Sequence, residues 1–96
     1  MNFVVVRRRC GPWDFTKPME QQLAWREHAD FMDRLHSAGV MPLAGPMGGD
    51  RKVLMVVSAD SEDEVTRLFA TDPWTELGLL QTKSIEVWTV RIGSLD

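Results

Sequence analysis

KVLMVVSADSEDEVTRLFATD, residues 52–72, decides the fold. Val53, Leu54, Met55, Val56 and Val57 form an unbroken apolar run between Lys52 and Ser58, which reads as a strand over 52–58. Ser61 then stands where a helix N-cap belongs, with Glu64 three residues on, as in a capping box. Glu62, Asp63 and Glu64 crowd the first turn, where the helix dipole favours negative charge. Val65, Leu68 and Phe69 supply one apolar side. The helix spans 61–71 and stops at Asp72-Pro73, because the residue before a proline is pushed out of the helical region.

Toward the N-terminus, Phe3, Val4, Val5 and Val6 place a strand over 2–8, and Cys10, Gly11, Pro12, Trp13 and Asp14 break it. Pro18 suits the first turn of a helix that reaches Ala38, with Gly39 as its left-handed stop. A second strand is read over 40–44, and Gly45, Pro46, Gly48, Gly49 and Asp50 turn the chain into 52–58. Beyond Pro73 an irregular segment runs through Leu80, and a last strand covers 82–92. The order β-α-β-β-α-β is the ferredoxin-like α+β sandwich, in one domain over 1–96.

Two helices cover one face of a four-stranded sheet. The run 53–57 is apolar without alternation, and the last strand puts Ile85 and Val87 on one face with Trp88, Val90 and Ile92 on the other. Strands apolar on both faces need cover on both. A second copy is the simplest source, so a homodimer is expected, with sheets packed face to face. A monomer with some exposed apolar surface is the alternative.

Composition narrows the class. The 96 residues are 44% hydrophobic and 26% charged, as in an ordinary globular domain. A net charge of −3 and a pI near 5.3 argue against a nucleic-acid binder held by phosphate contacts. No apolar run reaches the roughly 20 residues a membrane helix needs, and the N-terminal segment lacks the order of a signal peptide. Cys10 is the single cysteine and forms no internal disulfide. A cytoplasmic protein is expected.

His28 is the most informative candidate. At about 100° per residue, Ala24, His28, Phe31, Leu35 and Ala38 share one narrow arc of the first helix. His28 is therefore expected to face the sheet, desolvated and neutral, able to act as a general base; a structural histidine bonded to a carbonyl is the other reading. Asp72 closes the second helix. It is either a turn residue or, since both helices lie on one face, a carboxylate that orients His28 and stabilises its protonated form. Arg7, Arg8 and Arg9 are either a solvated strand end or the source of a guanidinium for an anionic ligand, with Arg7 and Arg9 the candidates. Trp13, Trp25 and Trp74 are candidates for an aromatic pocket, and Trp88 reads better as packing. His36 falls off the stripe. The histidines and the cysteine make no metal pattern, and 45–49 lacks the Lys-Ser/Thr of a phosphate loop. No cofactor is expected.

Together these features resemble the YCII-related (YciI-like) family. The carrying pieces are Arg26-Glu27-His28, Gly39 followed by Leu43-Ala44-Gly45-Pro46-Met47, Ser61-Glu62-Asp63-Glu64, Asp72-Pro73-Trp74, Gly78-Leu79 and Ser84-Ile85-Glu86-Val87-Trp88. They run in the family's order over nearly the whole chain. The resemblance implies a dimeric α+β barrel and an active site built from His28 and Asp72. It implies chemistry of the kind known in the family, dehydrochlorination of a chlorinated hydroxyquinol, on a fold shared with muconolactone isomerases. The loop 11–17 with its Trp13 belongs to only some members and marks a subgroup.

The expected function is a lyase- or isomerase-type enzyme acting on a small, aromatic or anionic compound. His28 would move the proton, Asp72 would orient it, and Arg7, Arg9, Trp13 and Trp74 would bind the substrate. The alternative is a non-catalytic dimeric ligand-binding or accessory domain. A haem-free monooxygenase of the same fold is a third reading, carried by fold analogy alone.

Overall fold

A computed structural model describes residues 1–49 and 51–95. Asp50, read above as part of the glycine-rich turn, lies outside the described residues. The chain forms strand β1 (Asn2–Arg9), helix α1 (Trp25–Ser37), strands β2 (Leu43–Pro46) and β3 (Lys52–Ser58), helix α2 (Glu62–Ala70), a one-turn helix α3 (Pro73–Glu76) and strand β4 (Leu80–Val87). The strands make one antiparallel sheet in the order β2-β3-β1-β4. This is the α+β class and the strand order of a ferredoxin-like unit.

The period of two sorts β1 cleanly. Phe3, Val5, Arg7 and Arg9 are buried beneath the helices, and Val4, Val6 and Arg8 turn to the other face. Val57 and Met55 pair with Phe3 and Val5, and with Phe31, Leu35, Val65 and Phe69 from the helices they form the main core. The capped start of α2 is as read: the Ser61 hydroxyl accepts from Glu64 N at 3.1 Å, while the Glu64 carboxylate reaches back to Asp60 N at 2.8 Å.

Four boundaries differ from the sequence reading. The first helix begins at Trp25 rather than Pro18, where only a 3₁₀ turn forms over Met19–Gln21. Gln22 is the cause. Its amide accepts from Asp14 N at 3.0 Å and donates to Asp14 O at 2.7 Å and Lys17 O at 3.1 Å, which ties 14–22 into a closed loop. Gln22 is extended and Ala24 is left-handed at φ 59°, so no helix passes through them.

β2 covers Leu43–Pro46 rather than 40–44, because the N–H groups of Val40 and Met41 are spent on Leu35 O at the end of α1. Residues after Pro73 form α3 instead of an irregular segment, since Asp72 caps it and Pro73 fits its first position. β4 starts at Leu80 and ends at Val87. Trp88 N bonds Asn2 O at 2.8 Å, at the first residue of β1.

The second apolar face is therefore not made by Trp88, Val90 and Ile92, and Ile92 is 95% exposed. Register instead places Val4, Val6, Leu54, Val56 and Leu43 on the face away from the helices, with Leu43 and Leu54 open to solvent. No helix among the described residues is long and apolar enough to cross a membrane.

Candidate functional site

Three elements converge under α1. β1 delivers Arg7 and Arg9 by alternation. α1 delivers His28 on the same stripe as Phe31 and Leu35. The turn between α2 and α3 delivers Asp72, whose side chain caps α3 by accepting from Trp74 N at 3.0 Å. The Asp-Pro pair that ends one helix thus starts the next, and holds the carboxylate in a fixed direction at zero exposure.

Asp72 bonds on both of its oxygens. Oδ1 lies 2.9 Å from His28 Nδ1, and Oδ2 accepts from Arg7 Nη1 at 2.7 Å. Arg7 Nη2 donates to the Thr75 hydroxyl, and the guanidinium sits over the Phe69 ring at 4.8 Å. His28 stacks on Trp74 with centroids 3.7 Å apart and planes 9° from parallel. Trp74 Nε1 donates to Leu23 O at 2.7 Å, which fixes the indole. Trp13 meets Trp74 edge-on at 5.0 Å, and Arg9 lies over Trp13 at 4.3 Å.

Burial alone would raise the Asp72 carboxyl. The hydrogen bonds from His28 and Arg7, the adjacent His28 ring and the Trp74 N–H outweigh it and hold the group below the ordinary aspartate value. Burial pulls the Arg7 guanidinium down from its ordinary value, and Asp72 opposes that; an arginine retains its charge regardless. A carboxylate only accepts, so His28 Nδ1 is the donor in this bond, and the tautomer it selects has its lone pair on Nε2.

A cavity of about 560 Å³ opens between α1 and the β2–β3 edge of the sheet. His28, Trp25, Trp74 and Arg9 line it, as do four methionines, Met19, Met32, Met41 and Met55. Asp72, Arg7 and Trp13 do not line it. Arg7, expected from the sequence to meet a ligand, is instead fully buried behind Asp72. Trp13, given the same role, is the outer layer behind Trp74. Arg9 and Trp74 do reach the cavity wall.

Thr75 and Gln22 were missed. Thr75 had a signal, since one turn of helix from Asp72 sets it beside the same partner; Gln22 had none. His36 bonds Met41 O through Nδ1 at 2.9 Å, and Cys10 Sγ lies 3.4 Å from Gly78 O. Among the described residues no three of His, Cys, Asp and Glu are grouped to hold a metal.

The model of the YCII-related domain matches residues 1–89. A solved structure, 5-chloro-2-hydroxyhydroquinone dehydrochlorinase from Burkholderia phenoliruptrix AC1100 in complex with 2,5-dihydroxybenzoquinone, aligns over 93% of this chain and 94% of its own at 23% identity, with a TM-score of 0.64. At that identity the likeness is one of fold. No curated protein matches the chain.

Proposed function

The chain belongs to the YCII-related domain family, and we propose that it is a small-molecule enzyme of lyase or isomerase type in which His28 moves the proton. One observation carries this reading: His28 both bonds the buried Asp72 and lines the cavity, so its Nε2 edge is available to a ligand. A flat compound lies against Trp25, Trp74 and the methionines, whose unbranched thioethers adapt to a ring. Arg9 holds an anionic or phenolic oxygen. Nε2 takes a proton from an acidic C–H or O–H of the ligand. The released electron pair then expels a leaving group from a neighbouring carbon, or shifts a double bond while His28 returns the proton elsewhere. Asp72 faces the imidazolium and fixes its tautomer, and the face of Trp74 stabilises the same cation. Halide loss from a hydroxylated ring, the reaction named for the structural neighbour, is the lyase form of this scheme.

The exposed Leu43 and Leu54 on the far face of the sheet support a homodimer formed sheet to sheet, with one His28–Asp72 site on each helix face. The lone thiol Cys10 suits the reducing cytoplasm.

The test uses 5-chloro-2-hydroxyhydroquinone with chloride release as the readout, and 2,5-dihydroxybenzoquinone titrated against tryptophan fluorescence. Saturable quenching and turnover are expected, with turnover in His28→Ala lower by about 10²–10⁴-fold and quinone binding kept. Absence of binding to this and related hydroxyquinones, or a His28→Ala variant as active as the parent, overturns the proposal. A single-chain mass in light scattering at micromolar concentration overturns the dimer.

A further inference from the structure

A carboxylate bonded to an imidazole and to nothing else favours the imidazolium. Such a ring already holds the proton that a base is meant to take. Asp72 is not in that position, because its second oxygen belongs to Arg7.

We infer that Arg7, bonded to the far oxygen of Asp72, divides the carboxylate's charge and so keeps His28 free to accept a proton. This rests on the reading of His28 as the proton-transfer group. The Arg7–Asp72 bond is 2.7 Å long and both side chains have zero exposure, so water screens neither. The pair is neutral as a whole. His28 therefore faces a dipole whose positive end lies just behind its negative one.

The other charged and titratable groups around His28 do not take this part. Arg9, also from β1, faces the cavity and adds positive charge on the ligand side. Arg26, Asp33 and His36 line the cavity from α1, and each is exposed. Cys10 follows β1 and lies against Gly78 O at 3.4 Å. From α3 and its cap, Asp72 is the charged group in contact, with neutral Trp74 and Thr75 beside it.

Stability alone is a weak reason for a guanidinium here. A buried ion pair is often matched by apolar side chains of similar volume, and Arg7 keeps its Nε buried without a hydrogen-bond partner. An arginine that carries an unsatisfied group in the core is explained by what it does to Asp72.

The experiment follows the ring nitrogens of His28 by ¹⁵N NMR against pH, which needs no substrate. In Arg7→Met the His28 titration midpoint should move up by about 1–3 units, the size expected when one neighbouring charge is removed. In Arg7→Lys it should stay close to the parent. In Asp72→Asn, with Arg7 left uncompensated, it should move down. An unmoved or lowered midpoint in folded Arg7→Met overturns the inference. So does a rise in Arg7→Lys as large as in Arg7→Met, or a rise in Asp72→Asn. Should Arg7→Met not fold, the other two variants still decide. Because the titration is read without turnover, its failure is separate from that of the proposed activity. Where turnover is measured, the acid limb of the Arg7→Met pH–rate profile should shift with the midpoint, which a merely structural role would not produce.

Discussion

Replacing Asp72 by asparagine isolates the buried charge. Asparagine caps a helix as well as aspartate does, so the bond from Trp74 N survives and α3 keeps its start. What disappears is the counter-charge to Arg7, a guanidinium at zero exposure with its partner 2.7 Å away. Breaking such a pair from one side costs about 3–5 kcal/mol, because the remaining charge stays buried. A chain of this length has roughly 5–14 kcal/mol in total at 0.05–0.15 per residue, so the loss is roughly a fifth or more of the whole. With a urea slope of about 1.5 kcal/mol per M, a loss of 3 kcal/mol lowers the midpoint by about 2 M. Equilibrium urea unfolding at one fixed protein concentration measures this, since self-association would add a concentration term. The single variant Arg7→Met should lose a similar amount. The double variant Arg7→Met/Asp72→Asn should lose no more than either, since no charge is then stranded. The reasoning is refuted if Asp72→Asn costs less than about 1 kcal/mol, the level of an exposed pair, or if the two single losses simply add in the double variant.

Two further outcomes follow from the same region. The Asp72 carboxyl is held below its ordinary value near 3.8, so its contribution to stability is complete above the unfolded value and drains away as pH falls through the folded one. The urea gap between the parent and Asp72→Asn should not narrow from pH 7 to 5 and should close below about pH 4; a gap that closes between pH 7 and 5 contradicts the assignment. Gly11 sits at φ +57°, and a Cβ added there would lie 2.7 Å from Gly78 O, whereas Gly39 at φ +78° has open space. Both alanine variants bear the left-handed strain of about 1–2 kcal/mol, worth some 4–8 °C per kcal/mol in a small domain. Gly11→Ala should melt well below Gly39→Ala because it must also displace the backbone after α3; equal melting temperatures would show that the loop yields freely.

Local signals made most of the framework legible. Ser61 and Glu64 announce α2 because a cap is a contact between residues three apart, and the β1 alternation is a property of the pleat. The helical period alone placed His28 toward the sheet, where it is 5% exposed. The start of α1 was not legible, because the loop 14–22 is closed by one glutamine side chain whose partners are backbone atoms, and no spacing rule announces that. The end of β4 was illegible for a different reason. Val90 and Ile92 are good β-formers, yet a strand needs a neighbour, and β1 begins at Asn2. Propensity names candidates, and pairing decides among them.

The site divides along the same line. His28 and Asp72 could be picked out singly, and their approach argued from two helices sharing a face. The role of Arg7 could not. Three consecutive arginines, Arg7, Arg8 and Arg9, carry identical chemistry, and the sheet sends them to different fates. Arg8 goes to the face away from the helices, Arg9 to the cavity wall, and Arg7 to the back of Asp72. A shift in the β1–β4 register between Val6 and Arg7 falls at this point and sets Thr82 opposite Arg7 and Leu80 opposite Arg9. Bulges commonly re-aim side chains beside active sites. The same side-chain chemistry that lines the cavity at Arg9 is, one pleat further back at Arg7, bonded to Asp72 and Thr75. Parity along β1 thus separates a guanidinium on the cavity wall from one buried against the Asp72 carboxylate.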